Sequence, residues 1–175
     1  MLLSYQYNYG KLESKIINLR HGCEEVIPEF DKNGNLPPGV HFCEWEEFKE
    51  RFGNNFIRQR MIDGLELAMS QLKAAGCLTL YIDGSFVTSK QKPGDYDACW
   101  EDNGVDIDYL KAIAPMLYHF GHRRGEQKNK YKGEFFPANY PANEDGITYI
   151  DFFKFDPISH NRKGIIAIDL QRWNP

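Results

Sequence analysis

The most constraining feature of this sequence is a pair of short strands joined through a glycine turn, within residues 78–100. Leu78–Ile82 and Tyr96–Trp100 each predict a β-strand, because both are short, largely apolar and contain branched or aromatic residues. Between them, Asp83-Gly84-Ser85 predicts a tight turn, since glycine adopts backbone conformations closed to other residues. Two such strands are stable only in a larger sheet, which the rest of the chain must complete and cover.

Helical periodicity surrounds this strand pair. One helix is predicted from about Glu44 up to Gly53, and a second from about Phe56 to Ala75, where apolar residues recur at helical spacing. Gly76 then lies where a C-terminal glycine is expected. The other predicted elements are a helix at Asp106–Tyr118, a basic loop or hairpin at Phe120–Phe136, and strands at Thr148–Phe155 and Gly164–Leu170.

This order of elements predicts an α+β fold, with a mixed β-sheet and helices packed mainly on one side. The length of 175 residues and the hydrophobic content of 42% suit a single domain over residues 1–175. Residues 1–40 show no clear periodicity and are expected to form an irregular N-terminal extension. Within it, the alternation of Tyr5, Tyr7 and Tyr9 is typical of an edge strand.

Charge, hydropathy and cysteine spacing disfavour duplex-binding proteins, membrane proteins and proteins with a CxxC site. The net charge of −4 disfavours a protein that binds duplex nucleic acid mainly through contacts to its phosphates. No apolar run approaches the ~18 residues of a membrane span, and no signal peptide opens the chain, so we expect a cytoplasmic protein without a membrane partner. The cysteines form no CxxC pair. Two His-x-Cys units, His21/Cys23 and His41/Cys43, offer a zinc site as the alternative to free thiols.

Two carboxylates follow the glycine turn. Asp95 comes ten residues after Ser85, and Asp97 two residues later. Residues two apart in a strand face the same way, so the sequence predicts both carboxylates on one side. Such a pair repels unless a cation lies between its members, and Mg²⁺ (or Mn²⁺) suits carboxylate and phosphate oxygens. The turn at Gly84 and Ser85 could bind phosphate oxygens through its backbone N–H groups.

A third carboxylate is expected on a neighbouring strand. We predict Asp151, because alternation within Thr148–Phe155 places it among aromatic side chains, where a lone carboxylate is costly. Asp156, at the end of that strand, is the reserve candidate.

Residues 122–132 carry five basic residues against one acid. This segment either contacts a triphosphate or an RNA backbone, or is a solvated loop. Tyr131 within it could stack on a base. Thr88 and Lys90, which follow the glycine turn, either reach the triphosphate or are exposed loop positions.

The Gly-Ser turn, the spacer and the Asp-x-Asp pair resemble the nucleotidyltransferase superfamily. That superfamily includes DNA polymerase beta, kanamycin nucleotidyltransferase and the minimal nucleotidyltransferases of toxin–antitoxin pairs. More closely, the chain from Ile27 to about Trp100 resembles a family of small bacterial proteins. The matching segments are residues 35–41, 45–53, 75–77, 83–88 and 95–100, with 163–166 near the C-terminus. Asp83 departs from the wider pattern, in which the residue before the glycine is usually apolar.

The resemblance implies a single nucleotidyltransferase-like domain that uses a nucleoside triphosphate and two magnesium ions. Gly84 and Ser85 would bind the β- and γ-phosphates. Asp95 and Asp97 would hold the metals, while Asp151 would ligate one of them and help deprotonate the acceptor. The acceptor hydroxyl would attack the α-phosphate and pyrophosphate would leave.

The acceptor stays open between an RNA end, a protein hydroxyl and a small molecule. The superfamily also suggests a place in a toxin–antitoxin or defence pair, with a cognate partner protein. The alternative is a non-catalytic nucleotide- or partner-binding module, antitoxin-like, on the same fold. A third possibility is an interaction protein with no affinity for metal or nucleotide.

Overall fold

The structure is a computed structural model that describes residues 27–118, 124–156 and 159–175. Within these ranges, a mixed sheet of five strands has the order β1-β5-β2-β3-β4. β2 is antiparallel to both of its neighbours, whereas the β1–β5 and β3–β4 pairs are parallel. The strands are β1 Gly39–Phe42, β2 Thr79–Asp83, β3 Asp97–Trp100, β4 Glu134–Pro137 and β5 Gly164–Asp169. The predicted α+β class with a mixed sheet is therefore confirmed.

The described ranges also contain five α-helices and two 3₁₀ turns. The longest helix begins after Asn55, whose side-chain oxygen accepts a hydrogen bond from the Arg58 N–H, and is followed by Gly76 at φ 90°. None of these helices has the length and apolar character that a membrane crossing requires. The helices are α1 Trp45–Phe52, α2 Phe56–Ala74, α3 Ile107–Ile113, α4 Arg124–Tyr131 and α5 Tyr149–Phe152, and the 3₁₀ turns are Ser85–Val87 and Pro115–Tyr118.

The two faces of the sheet are covered unequally. Leu80, Ala98 and Phe135 lie on the face that packs against α1, α2 and α3, where the main core forms. Cys99 and Phe136 lie on the other face, which meets Phe153 and the short helix α5. Because side chains alternate along a strand, the residues at odd positions in β3 and even positions in β4 all point to this thinly covered second face.

Helix α4 is fixed against α2 through Tyr131, which is fully buried. Its hydroxyl donates to the Gln71 side chain at 2.8 Å, and its carbonyl accepts from the Tyr96 hydroxyl at 2.6 Å. Gly64 of α2 lets the two helices approach, since a Cβ there would lie 1.8 Å from the Tyr131 carbonyl oxygen. The prediction that Tyr131 could stack on a base is therefore wrong.

Two other sequence predictions are wrong for local reasons. Thr148–Phe155 is not a strand: Thr148 caps α5, accepting a hydrogen bond from the Asp151 N–H, and this Thr-x-x-Asp pattern starts a helix. Phe120–Phe136 is not a loop or hairpin, because its described part contains α4 and β4. The low apolar content of α4 hid the helix, and β4 is only four residues long.

Smaller differences concern element ends. The predicted helix Asp106–Tyr118 stops at Ile113, because the residue before Pro115 is driven out of helical geometry. The segment predicted to be irregular up to residue 40 includes the start of β1, which pairs with β5 at an edge of the sheet. Tyr5, Tyr7 and Tyr9 lie outside the described residues.

Candidate functional site

The glycine turn ends β2 and redirects the chain into a 3₁₀ turn, which confirms the turn predicted at Asp83-Gly84-Ser85. Gly84 has φ 82° and ψ −169°, a conformation that is closed to residues with a side chain. A Cβ at this position would lie 3.1 Å from both the backbone nitrogen and a carboxylate oxygen of Asp97. The turn therefore lies directly against the first residue of β3.

Three neighbouring strands bring carboxylates to one level of the sheet. Asp83 of β2 is the register partner of Asp97 in β3, and Asp97 is the register partner of Glu134 in β4. Register partners share a face, so these three side chains form a row on the thinly covered face. We refer to Asp83, Asp97 and Glu134 as the carboxylate row.

Electrostatic crowding is strongest at Asp97. Burial raises the pKa of this carboxyl, and the charges of Asp83 and Asp95 raise it further, to about 7. Glu134 acts in the same direction on this pKa, whereas Lys128 opposes it. Asp95 lies just before β3 rather than within it, yet its carboxylate is close enough to act on Asp97. At neutral pH the Asp97 carboxyl is therefore only partly ionised.

Two lysines partly neutralise this charge. Lys128 of α4 places its ammonium 2.6 Å from an Asp95 oxygen and 3.0 Å from a Glu134 oxygen, so it bridges two carboxylates. These two hydrogen bonds raise the pKa of Lys128. Lys163 forms an ion pair with Asp83 in which each side chain is only 8% exposed. Burial nevertheless outweighs Lys163 and raises the pKa of Asp83.

The loop after the turn is held by hydrogen bonds. The Ser85 hydroxyl donates to the Asp95 carbonyl at 3.4 Å. The Thr88 hydroxyl donates to the Ser85 carbonyl at 2.8 Å and accepts from the Lys90 N–H at 3.2 Å. Thr88 thus ties the loop to the turn, while the Lys90 side chain is exposed. The predicted phosphate contacts of Thr88 and Lys90 stay predictions.

Arg58 of α2 is a positioning residue that sequence reasoning missed. It is 3% exposed, and burial lowers the pKa of its guanidinium. The sequence feature that could have identified Arg58 is its position, as an arginine, within the otherwise apolar stripe of helix α2. Its side chain donates to four backbone carbonyls, those of Phe52, Phe86, Thr88 and Lys90.

The strand placement predicted for Asp151 is wrong. This residue lies in α5 with a side chain that is 58% exposed, and its carboxylate contacts Lys154 at 2.9 Å. The hydrogen bond from Lys154 lowers the pKa of Asp151. Glu134 instead occupies the strand next to Asp97. The reserve candidate Asp156 accepts hydrogen bonds from Asn35 and from the Ser159 N–H.

Glu134 was missed because the prediction made its segment a basic loop or hairpin. The available signal was a lone acid just before the apolar residues Phe135 and Phe136.

The alternative zinc site was predicted from two His-x-Cys units, of which the structure describes one. In that unit Cys43 is buried, and the His41 ring donates from Nε2 to the Pro37 carbonyl at 2.7 Å. His21 and Cys23 lie outside the described residues.

The part of the chain that the structure describes contains no group of three or more His, Cys, Asp or Glu side chains arranged to hold a metal ion. The ammonium of Lys128, and not a metal ion, bridges Asp95 and Glu134 in this structure.

Comparison with known families adds one finding. Residues 28–169 match DUF6932, which is described as a family of unknown function. The chain belongs to the DUF6932 family. The DUF6932 match spans the whole sheet, with the glycine turn and the carboxylate row. No curated protein and no solved structure matches the chain significantly. The function must therefore be argued from the site.

Proposed function

We propose that the chain binds a nucleoside triphosphate and Mg²⁺ beside Gly84 and transfers the nucleoside monophosphate to an acceptor hydroxyl. One observation carries the proposal: Asp97 lies directly against the turn at Gly84, which has a positive φ, and is in register with Glu134 on the adjacent strand. Phosphoryl transfer needs hard oxygen ligands next to a backbone that can approach phosphate closely. The site offers both within a few residues.

Mg²⁺ prefers hard oxygen ligands, and the carboxylates beside Gly84 are of that kind, although no three of them are gathered into one metal-binding group among the described residues. Asp95, Asp97 and Glu134 supply carboxylate oxygens, and burial, followed by the charges of Asp83 and Asp95, raises the pKa of Asp97 to about 7. Mg²⁺ bound there would neutralise charge that develops on the attacking and leaving oxygens. Mg²⁺ would compete with the Lys128 ammonium for the oxygens of Asp95 and Glu134 that the ammonium contacts.

The residues of the chain would then act as follows. Backbone N–H groups around Gly84 and Ser85 would bind phosphate oxygens, and Arg58 would keep the following loop in place. Glu134, released by Lys128, would accept the proton of the acceptor hydroxyl. The acceptor oxygen forms a bond to the α-phosphorus, the bond to the β-phosphate oxygen breaks, and pyrophosphate leaves with that electron pair.

A non-catalytic nucleotide- or partner-binding module is the second candidate. It is favoured by Lys128, which supplies a cation of the protein's own where an activating metal is expected. A cognate partner and a toxin–antitoxin or defence role belong to this proposal as predictions from the resemblance.

A cytoplasmic location is also proposed. It is supported by Cys77 and Cys99, which are buried free thiols.

Label transfer tests the proposal. The purified chain, Mg²⁺ and each of the four nucleoside triphosphates, labelled in turn at the α- and the γ-phosphate, would be incubated with cell extract. We expect transfer of the α label alone, lost in Asp97→Asn and in Glu134→Gln. Asp151→Asn is the matched control and should retain transfer. Transfer that survives in Asp97→Asn would contradict the proposal, and nucleotide binding without any transfer would favour the non-catalytic module.

A further inference from the structure

A pocket of about 240 Å³ lies beside Asp95, at the end of the carboxylate row. Asp95 and Lys128 line the pocket and also belong to the site described above. Helix α2 supplies one wall and the C-terminal part of α4 the other. The lining residues are Phe56, Ile57, Arg60, Met61, Gly94, Asp95, Lys128 and Lys132.

The charges of the pocket suit an anion. Arg60, Lys128 and Lys132 face a lining that contains a single acid, Asp95, and Lys128 already pairs with it. Arg60 and Lys132 therefore leave the pocket with a positive balance, in a chain whose net charge is −4. Because the chain as a whole is acidic, this local balance favours contact with one or two phosphates and disfavours a long backbone track.

The apolar part of the lining suits a planar group. Phe56, the first residue of α2, is 78% exposed, so its ring offers a free face at the pocket. Ile57 and Met61 continue the apolar surface beside it. Exposed aromatic rings next to cations are how proteins bind single-stranded nucleic acid, because every base can stack and every nucleotide carries a phosphate.

The backbone at Lys132 adds an independent observation. Lys132 follows α4 with φ 69°, and its N–H donates to the Lys128 carbonyl at 3.0 Å. Glycine or asparagine adopts this left-handed conformation at a lower cost than lysine. The Lys132 ammonium donates to the Asn129 carbonyl, so its charge is held at the C-terminal end of α4, in the pocket wall.

The pocket is distinct from the turn that is proposed to bind the phosphates of the triphosphate. Among the described residues, its lining includes neither Gly84 nor Ser85, nor Thr88 and Lys90 of the following loop. It does include Lys128, which contacts Glu134. Lys128 therefore connects the pocket to Glu134, the residue proposed to accept the proton of the acceptor hydroxyl.

We infer that this pocket binds the terminal nucleotide of a single-stranded nucleic acid, whose 3′-hydroxyl is the acceptor. The acceptor role rests on the proposed function, whereas the binding itself does not. The volume of about 240 Å³ has room for a base beside Phe56 and not for a folded partner.

The test is fluorescence anisotropy with a five-nucleotide RNA labelled at its 5′ end, without triphosphate or Mg²⁺. We expect Phe56→Ala to weaken binding about 5- to 150-fold, the effect of losing one stacked base. Arg60→Gln should weaken it and reduce the slope of log affinity against log salt by about 0.7 for each lost phosphate contact. Lys132→Asn should weaken binding without loss of thermal stability, because asparagine tolerates the left-handed backbone.

Phe152→Ala is the matched control, since Phe152 is an exposed phenylalanine of α5 that lies outside the pocket lining. It should bind the RNA as the wild type does. The same RNA labelled at its 3′ end should bind more weakly, because the label blocks the terminal hydroxyl. A single-stranded DNA pentamer that binds equally well would also support the inference, with RNA or DNA as the acceptor.

Two results would overturn the inference. One is the absence of RNA binding by the wild type, whatever the label-transfer assay shows. The other is equal RNA affinity in the wild type, Phe56→Ala and Arg60→Gln. If binding depends on Phe56 and Arg60 but no label is transferred, the pocket assignment is supported and the proposed reaction fails.

Discussion

Replacing Asp97 with asparagine should change how stability depends on pH. The pKa of Asp97 is about 7, whereas a free aspartate has a pKa of about 3.9. The folded chain keeps a proton that the unfolded chain releases, so the free energy of unfolding falls as the pH rises from about 4 to about 7. A tenfold change in an ionisation constant corresponds to about 1.4 kcal/mol, so the loss approaches about 4 kcal/mol above that range.

An asparagine at position 97 does not ionise, so Asp97→Asn should escape this loss. Relative to the wild type, the variant should gain about 2–3 kcal/mol between about pH 5 and pH 8. Urea unfolding at both pH values measures the gain. Asp63→Asn, at an exposed aspartate of α2, is the matched control and should shift by less than about 0.5 kcal/mol. If Asp97→Asn and the wild type show the same pH dependence, the reasoning about proton retention is refuted.

Other predictions concern the residues that support the site, and urea unfolding checks each of them. Lys163→Met should cost about 3–5 kcal/mol because it leaves Asp83 buried without its cation, and adding Asp83→Asn should restore much of that loss; an additive double variant would contradict this. Arg58→Met should cost several kcal/mol, since four carbonyls lose their donor; a change below about 1 kcal/mol would contradict the positioning role. Gly64→Ala should separate α2 from α4 at Tyr131 and lower stability, although alanine is the better helix former; a more stable variant would contradict this packing.

The sequence was most informative where local rules and tertiary structure agree. The stripe of α2, its Asn55 cap and the turn at Gly84 follow from periodicity and backbone sterics alone. The pairing of β2 with β3 follows because they flank that turn. The proximity of Asp95 and Asp97 was also predictable, even though β3 begins only at Asp97.

The missed features depend on tertiary context. Helix α4 buries Gln127 and Tyr131 but is otherwise polar, so its helical periodicity is faint. β4 is four residues long, and only its register with β3 shows that Glu134 joins the row. Asp151 was misplaced because alternation of aromatics predicts a strand, whereas the Thr148 cap produces a helix. A cap is a local hydrogen bond that hydrophobic periodicity does not report.

The central claim, that Asp97 and Glu134 hold a metal–nucleotide complex, is tested most directly by thermal melting. The wild type, Asp97→Asn, Glu134→Gln and Asp151→Asn would be melted with each nucleoside triphosphate, with and without Mg²⁺. A triphosphate at about 100 times its dissociation constant adds about 2.7 kcal/mol, or roughly 5–10 °C in a chain of this size. The account predicts a rise that requires Mg²⁺ in the wild type and in Asp151→Asn, and that is lost in Asp97→Asn and Glu134→Gln. An equal rise in Glu134→Gln, or no rise with any triphosphate, would contradict it.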